Sequence, residues 1–177
     1  MAARAKAQRS LKSRALQLLV QRDQSRLELK RKLLHHARRE AADVSSDEDP
    51  PADLEAEIEA LLGWLEVNRF LSDARFVDSR VHAREARFGN LRIRGELARH
   101  GVALPAERAR ALDGTELARA AAVRERRFAS LPFDAAERAA QSRFLAGRGF
   151  SPDVIHRLMR QLREPACASE TDRRSAD

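Results

Sequence analysis

The strongest constraint on this chain is how often it is interrupted. Apolar residues recur at three- and four-residue spacing along most of its length, which is the period of an α-helix. A capping or breaking residue nevertheless arrives every few turns, so no long helix can form. Ser10 stands before Leu11, Ala15, Leu18 and Leu19. Ser25 and Glu28 have capping-box spacing and lead into Leu29, Leu33 and Ala37. Asp53 is placed to cap Leu54, Ile58, Leu61, Leu62 and Leu65, and Ser72 opens a segment carrying Phe76, Val77, Val81 and Phe88. Gly89-Asn90 breaks the pattern before Ile93 and Leu97, and Gly101 is a candidate C′ residue. Pro105 suits the first turn of a short helix ending near Leu112, and Asp113-Gly114 reads as its stop. Thr115 then caps Leu117, Ala121, Arg124 and Phe128. Asp134 and Glu137 form a second capping box for a helix running to Gly147. Ser151-Pro152 opens the last segment, with Ile155, Leu158, Met159 and Leu162. The expectation is nine short helices.

Composition enters where it excludes alternatives. Val, Ile and Thr together number thirteen in 177 residues and Tyr is absent, so a large sheet lacks its usual material. No apolar run approaches the roughly 20 residues of a membrane span. The N-terminal stretch MAARAKAQRS is basic but has no apolar segment behind it, unlike a secretory signal. The one cysteine, Cys167, lies in a polar tail and rules out a disulfide framework. A soluble, cytoplasmic, all-α protein is expected.

Internal matches suggest tandem units. Leu97, Gly101 and Val102 align with Leu145, Gly149 and Phe150 at an offset of 48, and Leu29, Leu33 and His36 with Ile93, Leu97 and His100 at an offset of 64. The expected organisation is a tandem array of three three-helix, helix-turn-helix-like repeats, elongated and curved. A basic tail (1–9) precedes repeat 1 (10–71), which contains an acidic loop at 39–52. Repeat 2 (72–113), repeat 3 (114–163) and a disordered tail (164–177) follow.

Charge is unevenly distributed. The net charge is +7, made of +9 over residues 1–40, −8 over 41–60 and +6 over the remainder. An excess of basic groups favours nucleic acid or an acidic protein surface.

Catalytic chemistry is missing from the pattern. There is no phosphate-binding P-loop, and Gly147-Arg148-Gly149 lacks the third glycine of a dinucleotide fingerprint. His35 and His36 are adjacent, hence about 100° apart on a helix, and His82, His100 and His156 have no spaced partners to complete a metal set. No catalytic residue, metal site or cofactor is expected. A binding role is left, and Arg80, Arg84 and Arg87 share a helix face at spacings of 4 and 3. With Arg92 and Arg99 on the next helix they form the candidate binding set for phosphate or carboxylate groups. The competing reading pairs Arg80 and Arg84 with Asp78 and Glu85. Trp64 and most phenylalanines fall at core positions, which argues against a stacking platform for bases.

Three segments carry a family resemblance. Residues 64–102 contain Phe70-Leu71, Asp73-Ala74-Arg75-Phe76, and Glu96-Leu97 through Gly101-Val102. Residues 143–159 read RFLAGRGFSPDVIHRLM, and residues 15–33 read ALQLLVQRDQSRLELKRKL. In that order they resemble RecX, the bacterial regulatory protein family that modulates RecA. The acidic insert at 39–52 is longer than the family's usual turn, and Asn90-Leu91 replaces its common Pro or Tyr. The resemblance implies a tandem three-helix-repeat fold without enzymatic activity. It also implies binding of the RecA filament on single-stranded DNA, with inhibition of strand exchange, ATP hydrolysis and coprotease activity. Only weak contact with bare single-stranded DNA, no membrane partner and a monomeric state are expected. The alternative is a helix-turn-helix-type protein that binds DNA directly.

Overall fold

A computed structural model describes residues 10–43 and 53–163, all of whose regular structure is helical. Eight helices are present among the described residues: α1 (Leu11–Gln21), α2 (Arg26–Asp43), α3 (Leu54–Val67), α4 (Asp73–Glu85), α5 (Asn90–Arg99), α6 (Ala106–Glu125), α7 (Ala135–Gly147) and α8 (Pro152–Gln161). The chain forms two compact units. One comprises the residues up to Ser79 together with His100–Val102, and the other comprises Arg80–Arg99 and the residues from Ala103 onward.

Most helix starts follow the residues that announced them. The Ser10 side chain accepts from the Ser13 N–H, Ser25 from Glu28, Asp134 from Glu137 and Ser151 from Val154. Each bond satisfies one of the donors that a first helical turn leaves open. Two expected capping bonds of the first unit are not made. Asp53 precedes α3 but its side chain makes no capping bond. Glu28 does not reach back to Ser25 to complete the reciprocal box; it pairs instead with Arg22 and Lys32.

The expected break at Asp113-Gly114 is absent, and this is why eight helices stand where nine were expected. α6 runs through it from Ala106 to Glu125. A lone helical glycine costs only about 1 kcal/mol relative to alanine. Leu112 and Glu116, on either side, are both buried, and their packing outweighs that cost. Thr115 therefore caps nothing, and its hydroxyl donates back to the carbonyls of Ala111 and Leu112 at 3.3 and 3.2 Å. At the other acidic stretch, α2 continues to Asp43, so residues 39–43 of the expected loop are helical. The rest of that loop and both terminal tails lie outside the described residues.

In the first unit Ala15, Leu29, Leu33, Ile58, Leu62, Leu65 and Leu71 form the core, with α2 packed on α1 and α3. In the second, Ala120, Val123, Leu145, Phe150, Val154, Ile155, Leu158 and Met159 pack where α6, α7 and α8 meet. Helix α3 ends in a turn whose N–H groups at Arg69 and Phe70 bond the carbonyls of Glu66 and Leu65. Arg69 holds φ +60 there, the left-handed position usually given to glycine. The Arg75 guanidinium donates to the carbonyls of both Arg69 and Phe70 at 2.9 Å and supports that turn.

Candidate arginine surface

The second unit gathers its charge around two phenylalanine rings. Phe88 follows α4 and Phe144 lies on α7, and both are half-buried. The Arg92 guanidinium sits 4.4 Å from the centroid of Phe88. That of Arg148 is 5.6 Å from Phe88 and 5.2 Å from Phe144. Stacking against a ring holds the plane of a guanidinium while its N–H edges stay available. Beside these rings a pocket of about 210 Å³ is lined by Ala86, Arg87, Val123, Arg126, Arg127, Phe144 and Arg148.

The arrangement rests on a buried polar frame. Glu116 of α6 is 4 % exposed, and its Oε1 accepts from the backbone N–H of Asn90 at 2.9 Å and of Ser151 at 3.3 Å. One carboxylate thus anchors the starts of α5 and α8. Arg119, one turn further on, donates to the carbonyls of Phe88 and Leu112 and to the Asn90 side chain. Burial pushes the Arg119 guanidinium below its ordinary range, with Glu116, Glu85 and Asp113 opposing that shift. These bonds fix the turn that presents Arg87, Phe88 and Arg92.

The five arginines singled out from sequence fall into three environments. Arg80 and Arg84 share Glu96, at 3.3 and 3.1 Å. Arg87 lines the pocket and Arg92 lies over Phe88. Arg99 donates from Nε to the carbonyl of Gly95 at 3.2 Å, at the end of its own helix. Arg126, Arg127 and Glu116 were not anticipated. Nothing in their spacing marks them, because only the fold carries the end of α6 to the turn after α4. Among the described residues, Arg87, Arg92, Arg126, Arg127 and Arg148 have no carboxylate within ion-pairing distance.

The first unit contains one correction. Trp64, expected in the core, is 38 % exposed and stacks with Phe70 at 5.7 Å between centroids. The inward stripe of α3 is filled by Ile58, Leu62 and Leu65. Trp64 is left at its rim, with Lys12 Nζ 3.6 Å from its ring. Phe70 is itself 46 % exposed, while Phe76 and Phe150 are buried as expected.

No group of three or more His, Cys, Asp and Glu side chains among the described residues could hold a metal ion. No described helix is long and apolar enough to cross a membrane.

Known proteins resemble this chain along most of its length. A family model described as RecX, third three-helix domain, matches residues 115–159. Regulatory protein RecX of Ralstonia nicotianae is 46 % identical over 153 residues, covering 85 % of this chain and 86 % of that protein. Regulatory protein RecX of Leptothrix cholodnii is 47 % identical over 157 residues, with 86 % and 89 % covered. That of Herbaspirillum seropedicae is 46 % identical over 165 residues, with 92 % and 95 % covered. The crystal structure of RecX from Lactobacillus salivarius superposes with a TM-score of 0.62 at 18 % identity, over 86 % of this chain and 94 % of that one, and is similar in fold.

Proposed function

This chain belongs to the RecX family of regulatory proteins, and on that basis we propose that it is a non-enzymatic, cytoplasmic modulator of the RecA recombinase. It binds the RecA filament on single-stranded DNA and suppresses ATP hydrolysis, strand exchange and coprotease activity, and so restrains recombinational repair and the SOS response. The observation that carries this reading is the extent of the similarity: 46–47 % identity across most of the chain to proteins named for regulation. A filament repeats one surface many times. A monomer touching two neighbouring RecA subunits therefore gains avidity without stronger individual contacts.

The electrostatic part of the contact is assigned to Arg80, Arg84, Arg87, Arg92 and Arg99. Arg87 and Arg92 are the members expected to meet the partner directly, because they have no carboxylate of their own. Arg80 and Arg84 already share Glu96, and much of their charge is spent inside the unit.

The test is ATP hydrolysis by RecA on single-stranded DNA, with this protein titrated well below equimolar. Loss of hydrolysis is expected, and it weakens when Arg87 and Arg92 are both reversed to Glu. Reversal of Arg80 and Arg84 lowers stability first. Unchanged hydrolysis at every ratio overturns the proposal.

The arginines free of carboxylates also favour a second reading, direct binding to DNA phosphates. A DNA-only arm separates the two: direct binding would be tight without RecA and would fall steeply with salt.

A further inference from the structure

The pocket beside Phe144 is built from three helix ends. Ala86 and Arg87 follow α4, Arg126 and Arg127 follow α6, and Arg148 follows α7. Helix C-termini carry exposed carbonyls and the negative end of the helix dipole. Arginines there have an ordinary explanation, which is to satisfy those carbonyls. Arg126 does so, donating to Ala122 at 3.1 Å and to Ala86 at 2.6 Å. The charges do not balance, however. Among the groups that line the pocket, three helix ends supply roughly half a negative charge each against four guanidinium groups, an excess of about +2.5 within the lining itself; Glu85 and Glu125 end α4 and α6 but do not line it. Among the described residues no carboxylate pairs with any of the four, and the guanidinia of Arg87 and Arg127 make no hydrogen bond there.

Geometry narrows what could neutralise that excess. A carboxylate brings a single charge on two oxygens, which leaves more than half of that excess uncompensated. A phosphodiester carries a single charge and recurs along a line, which suits a strip of cations more than a pocket. A terminal phosphate carries close to two charges on three strong acceptor oxygens, so several guanidinium groups can share it. At about 210 Å³ the pocket is smaller than the usual small-molecule cleft of roughly 300–1,000 Å³. It holds a group of atoms rather than a whole nucleotide. Buried Val123 and half-buried Phe144 give the lining an apolar part, which lowers the local dielectric and strengthens charge-assisted bonds beside it.

We infer that this pocket is a receptor for a terminal phosphate group, with Arg87, Arg127 and Arg148 as the binding residues and Arg126 as their support. Two sources offer that chemistry: the phosphorylated end of a DNA strand and a free phosphorylated molecule. The site is independent of RecA, so its failure and that of the proposed regulatory role are separable.

The experiment uses the full chain alone at moderate salt. Three probes are compared: a fluorescent single-stranded oligonucleotide bearing a 5′-phosphate, the same strand with a 5′-hydroxyl, and inorganic pyrophosphate. The 5′-phosphate strand is expected to bind about tenfold more tightly than the hydroxyl strand, and pyrophosphate to displace it. Arg87→Glu with Arg127→Glu should abolish the difference between the strands. Amide NMR shifts of Arg127, Arg148 and Gly149 in the unaltered chain on adding pyrophosphate locate the site without relying on a variant. Pyrophosphate binding with no discrimination between strands assigns the site to free phosphorylated molecules. Equal affinity for both strands with no response to pyrophosphate overturns the inference. So does a phosphate preference that survives in the double variant, or shifts confined to residues elsewhere.

Discussion

A Cβ atom placed on Gly89 would lie 2.2 Å from the carbonyl oxygen of Gly149. The two turns touch backbone to backbone, with the Gly89 N–H donating to Arg148 and the Leu91 N–H to Gly149, each at 3.0 Å. The first unit contains the counterpart. Ser25, 64 residues before Gly89, donates from its hydroxyl to the carbonyl of His100, 48 residues before Arg148. The first N–H of the following helix is held by a carboxylate in both cases: Arg26 by Asp73 at 2.8 Å, and Asn90 by Glu116 at 2.9 Å. Gly101 and Gly149 both take positive φ, +72 and +80. The offsets of 64 and 48 visible in the sequence thus correspond to one joint made twice.

Gly89→Ala should destabilise the second unit by about 3 kcal/mol or more, because the obstructing atoms are backbone and cannot move aside cheaply. Gly149→Ala adds left-handed strain to a contact of 2.5 Å with Arg92 Cβ and should cost a similar amount. Urea unfolding of each variant checks this. A loss below about 1 kcal/mol at both positions would mean the turns are not in contact.

Gly114→Ala should act in the opposite direction. The position is helical and nothing lies within 4 Å of an added Cβ. Alanine there should raise stability by about 1 kcal/mol, by reducing the freedom of the unfolded chain and favouring the helix. Destabilisation would restore the break that the sequence suggested at Asp113-Gly114.

Glu116→Ala removes the shared acceptor of Asn90 and Ser151 and leaves buried donors unsatisfied. A loss of about 3 kcal/mol is expected, with a smaller one for Glu116→Gln, which retains an acceptor oxygen. Amide exchange at Asn90 and Ser151 should accelerate in the alanine variant, and unchanged protection at both would contradict the assignment.

Acid should weaken the first unit in two stages. Burial and the neighbouring Arg14 guanidinium, 3.0 Å from Nδ1, hold His36 below its ordinary value of 6.5. A depressed pKa means that protonation opposes folding. The His36 contribution is therefore complete above about pH 6.5 and declines as pH falls toward the folded value. Burial raises Glu28, but the bonds from Arg22 and Lys32 outweigh it and hold it below 4.5. Its contribution is lost only below that pH. Denaturation midpoints across pH should show both declines, and His36→Gln should remove the upper one alone. A midpoint that is flat from neutrality to pH 5 would exclude the His36 part.

Much of the local structure was legible because it depends on neighbours in sequence. Ser25 and Ser151 cap helices within three residues of themselves, and Gly101 takes the positive φ expected of a C′ glycine. Trp64 was misplaced because Leu62 and Leu65 compete for the same inward stripe, and periodicity does not rank them. Asp113-Gly114 was misplaced because its propensity is weak beside the burial of Leu112 and Glu116. Arg87 and Arg92 were visible as basic positions, but their freedom from carboxylates was not. Arg80 and Arg84, at the same helical spacing as Arg87, turned out to be held by Glu96.

The sequence by itself determined the helical class, most helix boundaries, the repeat offsets and the family resemblance, because caps, periodicity and motif spacing act over a few residues. Only the tertiary structure decided which arginines share a carboxylate, that Arg126, Arg127 and Arg148 meet Arg87 at one pocket, and that Glu116 anchors two helix starts. The pocket and the Glu116 anchor depend on residues more than 20 positions apart in the chain, and the Glu96 pairs on residues 16 and 12 apart on different helices; their approach is set by core packing and not by any local preference.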